Sequence, residues 1–551
     1  MATESISPEV LVVGAGPAGL TAAYNLARHG VRVRLVDRAA GPATTSRALA
    51  THARTLEIYD QMDVLAELMP RGRRVEHFTL HQGGRRLVRF DTDYSRLPTR
   101  FPFTLMVDQV ITEEVLRDAA ARLGVTVEWG VTLAAFEQDD GGVTATLRHA
   151  DGRVEECAAG WLVGCDGGHS TVRKTLELPL LGDSTETWLI ADAYVDTDLP
   201  QDSIHWLHTG SGTVMLVPFP EAGKWRLLDT ADARGDADPD AVAARFERKL
   251  GRALGRRTPV ARPSWVSVFT IQQRMVPRMR VGRCLVAGDA AHVHSPASGQ
   301  GLNTGIQDAY NLAWKLAMVV QGTAGADLLD SYEAERVPIG RRLIGSTKRA
   351  TALVALKNTM MAAALPVGTA VLRTVGPLKR RIERSIMGAM SGLALSYADS
   401  PLSRPSRVRR RGPVPGARVS VVTAGSYDAP GWRAFAAELR RPEWILLTGT
   451  DVADGVLPEP DSHGGALRVL RVATQGTAPA VLPDPDGKLR ADLGLAPEGW
   501  LLVRPDGYLA AAGPDLAGAD LGALLDELLV RHGHRPPAMT AVHRPHQESA
   551  T

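Results

Sequence analysis

Cysteine is scarce: three in 551 residues, Cys157, Cys165 and Cys284, with no CxxC pair among them. That excludes a disulfide framework and a thiolate zinc site. A dominant charge is also lacking, since 63 lysines and arginines against 61 aspartates and glutamates leave a formal net charge of +2. There is therefore no electrostatic reason to expect nucleic acid or an anionic membrane as partner. No apolar run is long enough to span a bilayer. The nearest, MMAAALPVGTAVL at 360–372, falls short of the ~20 residues required and carries Pro366 and Gly368, so it reads as a buried or interface helix. The N-terminal MATESISPEV lacks the basic region of an export signal, so a reducing cytoplasm is expected. No metal is expected either, because His292 and His294 have no further acidic or cysteine ligands beside them in the sequence. What remains is a chain long enough for roughly three domains, with a small molecule as the expected partner.

Two stretches are rich in glycine. The first, EVLVVGAGPAGLTAAYNLARHGVRVRLVDR, runs from an apolar strand through Gly14, Gly16 and Gly19 into a helical pattern and back to a strand ending at Asp37. The βαβ reading gives the three glycines distinct roles, namely a tight turn, backbone approach to a pyrophosphate, and close helix–strand packing, with Pro17 and Ala18 between them. An acid at Asp37 suits an unphosphorylated ribose, which points to FAD or NAD rather than NADP. The second stretch, GDAAHVHSPASGQGLNTGIQDA at 288–309, follows a buried-strand pattern and runs into a long helix. Asp289 at the strand end suits the hydroxyls of a sugar alcohol, and amides at the helix start suit an electron-rich ring edge. Those are the needs of a ribityl chain and an isoalloxazine, which favours FAD.

Between these stretches, residues 182–275 are rich in strand patterns and hold four of the ten tryptophans, as expected of an antiparallel sheet. A Pro/Arg-rich segment at 400–419 reads as a linker with a solvated arginine cluster. Beyond it, PEWILLTGT, ALRVLRVAT, GWLLVRPDGYLAAAG and LGALLDELLVRHG alternate as in a small α/β domain.

With CDGGHSTVR at 165–173 as a third signature, the chain resembles the class A FAD-dependent aromatic hydroxylases, the p-hydroxybenzoate and phenol hydroxylase superfamily. LATHARTLEIYD at 49–60 is similar to the branch acting on aromatic polyketides. The resemblance implies an α/β fold with a Rossmann-like FAD-binding domain (1–75, 106–181 and 276–350) and a substrate domain (76–105 and 182–275). A helical connection (351–405) and a thioredoxin-like C-terminal domain (406–551) would follow. It implies that Gly14, Gly16, Pro17, Ala18 and Gly19 line the pyrophosphate and that Asp37 and Arg38 face the adenosine ribose. Arg47 and Gln109 would contact other parts of the dinucleotide, and Asp166 and Gly167 would serve both FAD and a transient NAD(P)H, with NADPH favoured. Asp289 would hold the ribityl chain, and Pro296, Gly299, Gly301, Leu302 and Asn303 would border the isoalloxazine. The implied reaction inserts one oxygen atom of O2 into a polycyclic aromatic through a C4a-(hydro)peroxyflavin. The C-terminal domain lacks CxxC, so a structural or dimer-contact role is expected there.

One family element is missing. The aspartate that phenol hydroxylase-like relatives carry upstream of RTLE is Leu49 here, and no carboxylate lies between Ser46 and Leu56. His52 is the candidate substitute, since imidazole exchanges protons near neutral pH. Arg54 is a candidate for steadying an anionic intermediate, and Pro296 is grouped with these two as a candidate in the catalytic loop. Phe103, Trp206, Met215, Phe219 and Trp225 are the candidate lining of a pocket for a flat aromatic. Alternatives stay open at this point: an antibiotic-inactivating hydroxylase of the rifampicin or tetracycline type, a Baeyer–Villiger monooxygenase, and a flavin-bound protein that only sequesters its ligand.

Overall fold

The computed structural model describes residues 7–45, 48–91, 97–209, 212–230, 238–294, 299–355, 391–405, 411–458, 466–476, 478, 480–516 and 521–528. Arg47, Pro296 and the apolar stretch at 360–372 lie outside the described residues.

The first unit is built on a six-stranded sheet drawn from three distant parts of the chain. The fully buried run Val10–Val13 sits between the parallel strands Val33–Asp37 and Trp161–Gly164, and Cys284–Val286 lies beyond the latter. β-Branched residues buried on both faces are what a parallel sheet covered by helices needs. Helix Pro17–Arg28, with proline at its first turn, connects the first two strands and packs beside the long helix Gly301–Val320.

The second unit is an eight-stranded sheet containing Leu181–Tyr194, Ser203–His208, Thr213–Pro218, Lys224–Asp229 and Trp265–Met275. Its pairings are antiparallel apart from one, because His77–Gln82 enters beside Ser203–His208 in parallel register after a long passage through the first unit. Its outermost strand on the other side is His292–Val293, part of the second glycine-rich stretch, so that stretch bridges the two units. Period-2 alternation divides the sheet's side chains. One face carries Trp188, Ile190, Met215, Phe219 and Leu228 and meets Leu49, Ala50, Val75 and Met106 of the first unit. The other carries Leu189, Ala191, Leu216, Trp225 and Leu227 under Phe246 and Leu250 of helix Pro239–Leu254.

The C-terminal unit has a five-stranded sheet in which Trp444–Thr448 is central, parallel to Leu467–Ala473 on one side and antiparallel to Trp500–Val503 on the other. One face of this sheet packs on Trp432, Phe435 and Leu489 of its own unit. The opposite face packs on Trp314 and Met318 of helix Gly301–Val320. The segment at 400–419, expected to be a linker with solvated arginines, is only partly so. Arg411 is exposed and Arg407, Arg409 and Arg410 lie outside the described residues, but Ser400 and Arg418 are buried against Glu335 and Glu57 of the first unit. Among the described residues, no helix is long and apolar enough to cross a membrane.

Candidate functional site

The three glycine-rich signatures, up to some 290 residues apart in sequence, meet at one seam. Gly14 turns the chain with φ +103°, and a Cβ there would lie 2.4 Å from the Cys165 carbonyl oxygen, so first and second signatures touch backbone to backbone. Gly19 is equally constrained: its Cβ would lie 1.8 Å from the Gly14 carbonyl oxygen. Gly16 differs, with nothing within 4 Å of its Cβ position. It opens the N-terminus of helix Pro17–Arg28, which has no side-chain cap and no acid in its first turn. Such an end offers backbone N–H groups and a favourable dipole to an anion.

The third signature joins through Ala18, whose Cβ lies 3.0 Å from the position a Cβ on Gly288 would take and 3.5 Å from the same position on Gly305. Gly288 has φ +62°. Second and third signatures are tied by Arg173, which donates to the Ala290 carbonyl at 3.3 Å and the Gly168 carbonyl at 3.1 Å.

Carboxylates stand around this seam. Asp37 accepts from the Ala15 amide at 2.7 Å and the Ala39 amide at 2.8 Å, which fixes the carboxylate against the glycine turn, and Arg38 beside it is exposed. Asp166 accepts from the Thr171 and Val172 amides through Oδ2 (2.6 and 3.2 Å), while its Oδ1 is buried with no partner, next to Gly167 at φ +77°. A buried carboxylate oxygen without a donor is an unmet acceptor. Asp289 is exposed on the short helical turn Gly288–Ala290. An open helix end, an unmet acid at the second signature and an exposed acid at the third make a donor and acceptor set that fits a flavin dinucleotide. Gln109 lies farther along, accepting from the Ala48 amide at 3.0 Å.

The ring-edge candidates gather around His52. The His52 amide donates to Asn303 Oδ1 at 2.9 Å, and Asn303 Nδ2 donates to the carbonyls of Ala50 and Gly299 at 2.8 Å each. The His52 ring, 3 % exposed, places Nδ1 3.3 Å from Thr104 Oγ1 and Nε2 3.7 Å from the Cβ position of Gly299. Gly301 and Leu302 start the helix beside it. Arg54, two residues on, turns the other way. Its guanidinium donates to Glu57 at 3.0 Å and to the Asp506 carbonyl at 3.0 Å, and lies 4.9 Å from the Tyr508 ring. It is thus engaged with the C-terminal unit rather than with the ring edge.

Of the five pocket candidates, Trp206, Met215 and Phe219 lie on or against the sheet face that meets Leu49 and Ala50, next to His52. Trp225 is a correction: it packs in the cluster under helix Pro239–Leu254, because it is an odd-numbered member of a strand whose even members, Arg226 and Leu228, take the other side. Phe103 is likewise placed in the core of the first unit, beneath the Arg74 guanidinium at 4.6 Å and beside Phe101.

Several residues of the region escaped the sequence reading. Arg226 makes a bidentate pair with Asp192, 2.8 Å in both bonds, between the rings of Phe219 and Trp265 on the pocket-facing side. Asp308, the penultimate residue of the third signature, is fully buried. It accepts from Arg336 at 2.6 Å and the Gly288 amide at 3.2 Å, and lies 2.5 Å from His292 Nε2. Burial would raise its pKa, but His292 and Arg336 outweigh that and hold it at about 2. His292 therefore braces the loop. His294, stacked 4.7 Å from it, has both ring nitrogens buried without partners, and burial, then the neighbouring His292, keep its pKa well below the usual value. All three cysteines are buried, with thiol pKa values pushed up by burial, to about 12 at Cys284. They have no thiolate reactivity to offer.

Comparison with known proteins agrees with this arrangement. Residues 7–347 match the family described as FAD binding domain. The chain is 54 % identical to a 6-methylpretetramide 4-monooxygenase of Streptomyces rimosus over 549 residues, covering 99 % of this chain and 98 % of the relative. Among solved structures, the OxyS anhydrotetracycline hydroxylase of Streptomyces rimosus superposes with a TM-score of 0.74 at 30 % identity, covering 97 % of this chain and 100 % of that one. A ternary complex of aklavinone-11 hydroxylase with FAD and aklavinone gives 0.72 at 26 % identity, covering 96 % and 100 %.

Proposed function

The chain belongs to the class A FAD-dependent aromatic monooxygenases, and from that premise we propose that it hydroxylates a fused-ring polyketide of the pretetramide type, using NAD(P)H, with NADPH favoured, as reductant. It is an FAD enzyme; bound FAD supplies the redox chemistry that activates O2. The observation that carries the substrate class is the 54 % identity, over nearly the full length of both chains, to a monooxygenase named for 6-methylpretetramide.

In this reading the chain's own residues bind, orient and exclude water. Gly16 leaves room for the pyrophosphate and the amides of Ala18 and Gly19 face it, with Asp37 and Arg38 by the ribose. Asp166 offers its unmet Oδ1, with Gly167 beside it, and Asp289 takes the ribityl hydroxyls. Gly299, Gly301, Leu302 and Asn303 border the ring, with Arg47, Gln109 and Pro296 as the remaining contacts. His52, held by Thr104, takes or returns a proton at the substrate hydroxyl, in place of the missing aspartate. Trp206, Met215 and Phe219 give the flat apolar wall, with the Arg226–Asp192 pair on the same side of the sheet. We further read the C-terminal unit as thioredoxin-like from its sheet order, without redox capacity because residues 406–551 contain no cysteine. The domain limits, a cytoplasmic site of action and a homodimer belong to the same reading.

The test is aerobic oxidation of NADPH and NADH by the purified flavoprotein with pretetramide-type, anthracycline-type and rifamycin-type compounds, with products weighed by mass spectrometry. Stimulated oxidation with gain of one oxygen atom by a pretetramide-type compound is expected. Turnover of a rifamycin alone would move the protein to antibiotic inactivation. Tight ligand binding without nicotinamide oxidation would make it a sequestering protein.

A further inference from the structure

The turn Arg504–Tyr508 of the C-terminal unit is among the most deeply set parts of the molecule. Arg504, Asp506 and Tyr508 are each 2 % exposed or less. Arg504 makes a two-pronged pair with Glu335, at 2.6 and 3.0 Å, and donates to Asp506 at 3.0 and 2.5 Å. Glu335 also accepts from Lys315 at 2.8 Å, Asn311 at 2.7 Å and Ser400 at 2.6 Å.

The targets of this turn are two helices. On helix Gly301–Val320 it meets Tyr310, whose hydroxyl donates to the Pro505 carbonyl at 3.4 Å, and Asn311 and Trp314, which donate to Asp506 at 3.3 Å each. On helix Ala53–Gln61 it meets Arg54 through the Asp506 carbonyl and the Tyr508 ring. It also meets Gln61, whose Nε2 lies 2.6 Å from the Cβ position of Gly507. Arg54, Glu57 and Gln61 are spaced three and four apart, so they share one helix face. Glu57 on that face is held from the C-terminal side by Arg418 at 2.6 and 2.7 Å, which is why Arg418 is buried. The same two helices touch at their N-terminal ends, where the amide of the capping His52 donates to Asn303 Oδ1.

We infer that the Arg504–Tyr508 turn is a positioning element for the flavin edge. It fixes the relative placement of two helices whose first turns, carrying His52 and Asn303, meet beside the Gly299 loop. Packed helices transmit such a constraint as rigid elements. The inference rests on reading Gly299–Asn303 as the ring border, and no residue of the turn is assigned contact with substrate or flavin.

The test compares full-length holoenzymes: Asp506→Asn and Gly507→Ala in the turn, Leu470→Ala in the C-terminal unit's own core, and Asn303→Ala at the ring edge. The readouts are the visible spectrum and fluorescence of the flavin, the share of oxidised NADPH that appears as hydrogen peroxide, and Tm. The turn variants should shift the flavin spectrum and raise the peroxide share about threefold or more. Leu470→Ala should lower Tm while leaving spectrum and peroxide share unchanged. Turn variants with wild-type spectra and coupling, or Leu470→Ala acting as they do, would overturn the inference. If Asp506→Asn does not fold, Gly507→Ala, which strains the turn at its left-handed residue (φ +75°) and displaces the end of the Gln61 side chain, gives the same reading. An Asn303→Ala protein with an unmoved flavin spectrum would instead refute the ring-edge reading. A shift there without one in the turn variants would refute only the positioning role.

Discussion

Two buried seams hold this molecule together, and they are made of different materials. Where the three glycine signatures converge, the close contacts are backbone against backbone or Cβ, as between Gly14 and Cys165 or Ala18 and Gly288. Where the C-terminal unit meets the rest, an apolar patch around Trp314 and Trp444 is joined by buried ions. The first seam fails when an atom is added; the second fails when a charge is left alone. The glycines leave space for a bound group, whereas the ions fill space and fix orientation.

The largest expected effect tests the first seam. Gly19→Ala puts a methyl 1.8 Å from a backbone oxygen that has no rotamer to yield, so a loss of ~4 kcal/mol or more is expected. The protein should purify without flavin, as flavin absorbance and thermal melting would record. Gly16→Ala, with open space at its Cβ, should keep its Tm and lose flavin affinity alone. Equal melting losses for the two would erase the distinction drawn between them.

Next comes the ionic seam. Glu335→Gln leaves Lys315 without a carboxylate and Arg504 with Asp506 as its remaining one, at a cost of about 3–5 kcal/mol measurable by denaturant unfolding. Replacing Lys315, Glu335, Arg504 and Asp506 together by Met, Leu, Leu and Asn should restore most of that stability, since no charge is left alone. In the flavin spectrum, however, the quadruple variant should not regain the wild-type form if orientation is what the ions supply.

A smaller effect is set by pH. The carboxyl of Asp308 is depressed in the folded state to about 2 from an ordinary 3.8, so its contribution is complete above pH 4 and is lost as pH falls from there toward 2. That amounts to about 2 kcal/mol, visible as a difference in acid unfolding between wild type and Asp308→Asn. An identical acid limb in both proteins would show that the His292 and Arg336 contacts do not favour the charged form. Smallest is the effect at the pocket wall. Trp206→Leu should raise KM for the aromatic substrate about fivefold, with kcat and Tm little changed. Trp225→Leu, on the other sheet face, should lower Tm and spare KM.

These contrasts follow how much each region disclosed in sequence. The glycine signatures were readable because each requirement, a positive φ or a close approach, admits one residue type and is met within a few neighbours. The strand-rich middle was also readable, but the side of the sheet on which Trp225 falls depends on register, which periodicity alone did not settle. The ionic seam was invisible: Glu57, Glu335, Arg418 and Arg504 look like ordinary surface charges until the chain brings them together across as many as 361 residues in a single bond. The engagement of Arg54 with the C-terminal unit was hidden for the same reason, since Asp506, whose carbonyl it meets, stands 452 residues away.

The buried pairs have a consequence for how such proteins recombine. A C-terminal unit exchanged at residue 405 would arrive with Arg418, Arg504 and Asp506 but would meet the recipient's residues at positions 54, 57, 311, 315 and 335. Unless that set matches, the hybrid inherits unpaired charges in its interior. The C-terminal unit is therefore not an interchangeable module, and a viable crossover has to carry the matching half of the lock with it.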